Sequence, residues 1–206
     1  RLSVALPPAF CQEILSPHLR EFRRRYPQID LDLTVTSQSV DILRDQFDLA
    51  VVVGVQEDSD LSTRALLTGR LVWIASPGYL AENEIGDTVE TLRPHIQLCE
   101  KRYAARHFTV HEHGRKSRID LDHGVIHVND PLAVRQAVIR GAGVSLLPDR
   151  YCASQIASGD LVEICPPIRF DISASALSAV FPSRRLMSGK TRAFLEFLDE
   201  VCRRAV

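Results

Sequence analysis

Thr36-Ser37-Gln38-Ser39 stands between two apolar runs and sets hydroxyl and amide groups side by side. Such groups donate and accept hydrogen bonds in many directions, which suits them to hold a small polar ligand. The same residue types cap helices, which explains the cluster without any ligand. Asn129-Asp130, directly before Pro131, poses the same choice, because Asn or Asp followed by Pro is a helix-start signal. Cys11 is expected in the first turn of a helix, where partial positive charge favours a thiolate. It is read either as a redox-sensing thiol or as a small packing residue. His107, His111 and His113 fall at even spacing on an expected strand, and neutral imidazoles sharing a face can take a metal. An exposed hairpin gives the same spacing, and neither a metal nor a cofactor is assigned. The chain contains no GxSxG, HExxH, GxGxxG or P-loop. Binding, not catalysis, is the expectation.

The elements around these residues alternate. Leu2–Leu6 reads as a buried strand, broken by Pro7-Pro8. Phe10, Ile14, Leu15, Leu19, Phe22 and Tyr26 recur at helical spacing until Pro27. Ile29, Leu31, Leu33 and Val35 alternate as a half-buried strand does. A short helix is expected over Val40–Gln46, then an apolar strand over Phe47–Val53 closed by Gly54. This β-α-β-α-β order favours a parallel sheet. Ligands of such sheets bind beyond the carboxyl ends of the strands. Those ends carry Pro8, Ala9 and Phe10, then Thr36, Ser37 and Gln38, then Gly54 and Val55. Phe10 also suits the core. Further along come a strand at Leu71–Ser76, a hairpin over His107–Asp122, a strand at Val125–Val128, a helix over Pro131–Arg140, and a strand at Val144–Pro148. Asp149–Ala157 reads as a helix, Ile172–Phe181 as a long strand, and Lys190–Arg204 as a closing amphipathic helix.

The chain has 206 residues, 45% apolar and 25% charged, with net charge −1. That length supports a substantial core or two smaller ones. A near-neutral chain lacks the basic surface that grips DNA. The arginines of "REFRRR" flank Leu19 and Phe22 and read as a solvated helix face. No apolar stretch approaches a membrane span. The five cysteines are widely spaced with no CxxC, which fits reduced thiols in the cytoplasm.

The phrases "LSVALPPAF", "LREFRRRYPQIDLDL", "FDLAVVVG", "LVWIASPGYL", "AVRQAVIRGAGVSLLP" and "AVFPSRRLMSGKTRAFLEFLDE" together resemble the effector-binding domain of LysR-type transcriptional regulators. The resemblance implies an α/β fold: two Rossmann-like lobes of the type 2 periplasmic-binding-protein kind, joined by two crossover strands. The lobes would be residues 1–75 with 177–206, and residues 76–176. It implies a winged helix-turn-helix domain before residue 1, a small-molecule effector held between the lobes, and a homodimer or tetramer. DNA would be reached only through that further domain. The helix starts near Phe10, Thr36 and Asn129 would offer backbone donors, so an anionic effector is expected, with Asn129 and Asp130 joining the residues named above. Asp130 suits capping better than contact with an anion. A solute-binding protein of a transport system, and an enzyme on the same scaffold, are the alternatives.

Overall fold

A computed structural model describes residues 1–54, 61–103, 107–170, 175–182 and 187–205. Strand β1 (Leu2–Leu6) is followed by a helical stretch that changes winding three times. It opens with a turn at Pro8-Ala9, widens to a π-helix over Phe10–Leu15 and tightens to a 3-10 turn over Ser16–His18. It then settles as α1 (Leu19–Arg25). Pro17 explains the break, since its ring would collide with the Glu13 carbonyl in a regular α-helix. Next come β2 (Leu31–Val35), β3 (Leu49–Val53), β4 (Ser62–Leu67) and β5 (Leu71–Ala75). Then follow α2 (Pro77–Glu82), α3 (Val89–Leu92), β6 (Leu98–Glu100), β7 (His107–Glu112) and β8 (Arg115–Asp120). Then β9 (Ile126–Val128), α4 (Pro131–Ile139), β10 (Ser145–Pro148) and α5 (Ala153–Ser158). The last elements are β11 (Val162–Ile164), β12 (Ile168–Arg169), β13 (Leu177–Phe181) and α6 (Gly189–Arg204).

The expected helix over Val40–Gln46 does not form; residues 42–46 make turns. The segment closes as a single capped turn, with the Asp45 N–H donating to the Asp41 carbonyl at 2.8 Å and the Phe47 N–H to the Ile42 carbonyl at 3.0 Å. Asp41 accepts from the Arg44 N–H at 3.1 Å, and Asp45 accepts from the Asp41 N–H at 3.2 Å. Gln46 at φ 57° then ends the segment. Ile42 anchors it, 4% exposed, beside Ala5, Ala50 and Val180, and Val40 packs against the same cluster. Strand β13 is also shorter than expected. It begins at Leu177, Ser175-Ala176 are not strand, and residues 172–174 of the expectation lie outside the described residues.

The chain forms two compact units, Arg1–Thr68 with Ser175–Val206, and Gly69–Ala174. The first holds a sheet in the order β2-β1-β3-β13-β4. β1 runs parallel to β2 and β3, with Leu2 opposite Leu31 and Val4 opposite Leu33. β13 is antiparallel to both its neighbours. Phe22 of α1 meets Phe194 and Phe197 of α6, with ring centroids 5.3 and 5.1 Å apart. Ion pairs Arg25–Glu200 and Arg204–Glu21 link the two helices at the surface. Each guanidinium draws its carboxylate below the usual carboxylate range. Exposed pairs of this kind add little stability.

The second unit is built on a sheet in the order β10-β5-β11. The sequence boundary near residue 75 would put β5 in the first unit, but β5 pairs with β10 and β11 and belongs to the second. Its uninterrupted apolar run follows from burial on both faces. Leu71, Trp73 and Ala75 pack with Phe108, Val110 and Ile119, while Val72 and Ile74 pack with Leu98, Val134 and Val138. The Trp73 indole N–H donates to the Ile168 carbonyl at 3.0 Å. β6 and β9 pair in parallel, and β12-β7-β8 forms a third sheet.

Gly143 has φ 103°, and a Cβ there would sit 2.9 Å from the His95 carbonyl oxygen. That oxygen already accepts from the Val144 N–H at 2.8 Å, so it has little freedom to move. Gly143→Ala is expected to cost about 2 kcal/mol, read as a melting temperature lower by several degrees.

Candidate functional site

In the first unit, β1, β2 and β3 are parallel neighbours, so their carboxyl ends fall on one sheet edge. That edge carries the Pro7–Phe10 turn, Thr36–Gln38 and Gly54. The Thr36 N–H donates to the Leu6 carbonyl at 3.0 Å, which fixes the hydroxyl cluster beside the end of β1. The Thr36 Oγ1 accepts from the Gln38 N–H at 3.1 Å, a local turn that orders the loop. The Gly54 N–H donates to the Ala176 carbonyl at 2.8 Å, so the end of β3 is tied to the chain entering β13. Ser37 is half-buried and Gln38 is exposed.

The core alternative holds for Phe10, and the helix expected to start at Thr36 is the expectation that changes. Phe10 is 0% and Ala9 2% exposed, so their side chains belong to the core; only their main chain lies at the edge. The apolar helical spacing that flagged Phe10 is itself the signature of a core face. Thr36–Ser39 does not start a helix, so no helix dipole adds to its polarity there. Pro8 is half-buried at the turn, and Val55 lies outside the described residues.

In the second unit, Glu100 of β6 stands opposite Val128 of β9, and Asn129-Asp130 follows directly. The Lys101 N–H donates to the Val128 carbonyl at 2.6 Å, closing the end of the pair. Asp130 caps α4, its carboxylate accepting from the Leu132 N–H at 3.0 Å. Asp130→Ala is expected to cost about 1 kcal/mol in urea unfolding. A loss near zero would show that the cap is dispensable and leave ligand contact as the reason for an acid there.

Glu100 is the residue that sequence reasoning missed. It is 5% exposed. Burial pushes its carboxyl up to about 7, against the pull of the Arg102 guanidinium and the Arg102 backbone N–H, and the Asp130 charge adds to the rise. Near neutrality it therefore holds its proton about half the time and can donate as well as accept. Tyr103 beside it is raised too, first by burial and then by Glu100. The Arg150 guanidinium lies over the Tyr151 ring at 5.1 Å, and Arg135 donates to the Tyr151 carbonyl at 2.6 Å. The available signal was an acid closing the short apolar run Leu98-Cys99.

The other candidates are placed less favourably. Cys11 lies in the π-helical stretch, its N–H bonded to the Pro7 carbonyl at 2.9 Å and its Sγ 3.7 Å from Ser16 Oγ. All five cysteines are free thiols. Burial pushes Cys99 and Cys152 up to about 12 and Cys165 up to about 11, which keeps them protonated and unreactive. On β7, Phe108 and Val110 turn inward, so His107 and His111 face outward; His113 sits in the turn at φ 46°. Among the described residues no group of three or more His, Cys, Asp or Glu is placed to hold a metal ion. No described helix is long and apolar enough to cross a membrane.

The profile of the LysR substrate binding domain matches residues 1–203. The HTH-type transcriptional regulator PtxR of Pseudomonas aeruginosa is 32% identical over 205 residues, covering 97% of this chain and 64% of its own length. The chain thus spans just under two thirds of that relative. The structure of CrgA, a LysR-type transcriptional regulator from Neisseria meningitidis, superposes with a TM-score of 0.85 at 26% identity, over 98% of this chain and 68% of CrgA. The CrgA regulatory domain alone gives 0.83, with 97% of each chain covered. Full-length AphB of Vibrio cholerae gives 0.82 at 23% identity, a likeness of fold. These neighbours carry the type 2 periplasmic-binding-protein-like α/β fold.

Proposed function

The chain belongs to the LysR substrate binding domain family, and from that premise we propose that it senses a small-molecule effector for a longer transcriptional regulator. The observation that carries this is the gathering of Thr36, Ser37, Gln38 and Gly54 at the carboxyl ends of three parallel strands, β2-β1-β3. Asn129, Asp130 and Glu100 occupy the corresponding place on the β6-β9 pair of the second unit. The effector binds at strand-end residues of this kind, and its preference for one conformation of the protein over another biases the population of states. A coupling of about 1–3 kcal/mol is the usual scale of such control.

The effector carries an anionic group. Ser37 and Gln38 supply hydrogen bonds without charge, and a protonated Glu100 can donate one. DNA contact is assigned to a helix-turn-helix segment outside these 206 residues, in keeping with the net charge of −1. The working form is a homodimer or tetramer in the cytoplasm, where the genome is.

Calorimetric titration with a panel of hydroxy, keto and aromatic acids, against their neutral amides, tests the reading. Saturable binding of an acid is expected. Ser37→Ala and Asn129→Ala should each weaken it roughly tenfold, the scale of one charge-assisted hydrogen bond. Binding that ignores either substitution would remove that edge from the site. Binding of the amides alone would end the anion assignment.

A further inference from the structure

We propose that the second unit carries its own site for a small organic anion with an apolar body, in a cavity walled by β5, β11 and the chain leading to β12. The cavity has a volume of about 310 Å³. It exists because β11 accompanies β5 only part of the way. β11 pairs with Trp73, Ile74 and Ala75, and nothing in it stands opposite Leu71 or Val72. After Ile164 the chain turns off. Cys165 takes φ 50°, and Pro166-Pro167 cannot donate to a sheet ladder. The Trp73 indole, bonded to the Ile168 carbonyl, then holds the departing segment away from the end of β5. The space left is faced by Leu71, Trp73, Ile164, Pro166, Ile168 and Phe170.

Three charged residues, Arg70, Glu163 and Arg169, border this apolar hollow. Two of them neutralise each other. Arg70 meets Glu163 through paired bonds of 2.5 and 2.8 Å, with Asp149 a further 3.4 Å from its Nε. Arg169 differs. Its Nε gives one long bond of 3.4 Å to the Pro166 carbonyl, and it has no ion pair among the described residues. A dry wall bordered by one uncommitted guanidinium suits a carboxylate with a ring or short alkyl chain behind it. The volume sits at the small end of ligand pockets, which limits the guest to about ring size. Every lining residue belongs to the second unit, and none is among the strand-end residues assigned to the effector.

Trp73 is the chain's single tryptophan, so its fluorescence reports on this cavity directly. The 206-residue protein is titrated with benzoate and hexanoate, and with benzamide and hexanamide. A saturable change is expected with the carboxylates, at least tenfold weaker with the amides. Arg169→Gln should reduce the carboxylates to the level of the amides, while Arg169→Lys, which keeps the charge, retains most of the affinity. Ile164→Phe, which fills the space, should abolish the response. Both Arg169 variants alter an exposed side chain, so they remain informative if Ile164→Phe fails to fold. The proposal is overturned by no saturable change, equal binding of carboxylates and amides, indifference to Arg169→Gln, or a response that Ser37→Ala removes. A response that follows protein concentration rather than added carboxylate would assign the cavity to a second copy of the chain, and overturn it as well.

Discussion

Glu100→Gln makes the protein more stable at pH 8 than the parent and flattens its stability between about pH 4.5 and 7. The folded protein holds the Glu100 proton up to about 7, whereas the ordinary value is 4.5. Between those values the folded state binds the proton that the unfolded chain has released, so stability falls as pH rises. Above that window the whole penalty is present; below it, none is. At about 1.4 kcal/mol per pH unit, the ceiling is about 3 kcal/mol. Glutamine keeps the size and an oxygen for the Arg102 N–H while removing the charge. Urea unfolding at pH 5 and pH 8 measures the effect. Parallel pH dependence in parent and variant would mean that Glu100 ionises as an exposed acid does. The same proton matters for recognition if the effector touches β6. An acid that is half-protonated near neutrality makes anion affinity fall as pH rises from 6 to 8, and Glu100→Gln should remove that fall.

Phe22→Ala is expected to cost the first unit about 3–5 kcal/mol. Phe22 is 3% exposed. Its ring lies edge-on to Phe194 and Phe197 and tilted against Tyr26, 5.1 Å away. Removing it leaves a hole that several rings line and none can fill, because α6 is also fixed along Leu195, Leu198 and Val201. Aromatic pairing adds to the loss beyond the area buried. Denaturant unfolding followed by circular dichroism should show the lower midpoint. A change below about 1 kcal/mol would mean that α1 swings in to close the gap, and that the α1–α6 contact is loosely specified.

The sequence makes the central strands plain and the edges obscure. LVWIA reads as a buried strand because both its faces are covered, and the β7–β8 hairpin reads from its alternation and turn. β4 escapes notice because an edge strand with Thr63, Arg64 and Ala65 exposed shows neither period nor apolar run. Val40–Gln46 has a helical pattern, but Gln46 at φ 57° stops it after a single turn, a local choice that hydrophobic spacing does not encode. Of the site, the hydroxyl loop was visible because its residue types are unusual at a strand end. Glu100 was not, because what distinguishes it is burial next to Asp130, and that depends on which strands pair. The strand-end position of Phe10 was legible, but whether its ring faced core or ligand required the packing.

The insertion of β13 between β3 and β4 has a consequence for synthesis. Residues 1–68 leave the ribosome before the second unit, yet their sheet lacks β13 and α6 until residues 175–206 follow. The second unit is continuous in the chain and can close while translation still runs. The order of maturation therefore inverts the order of synthesis. Until β13 arrives, the bare flank of β3 is the surface that a chaperone must shield.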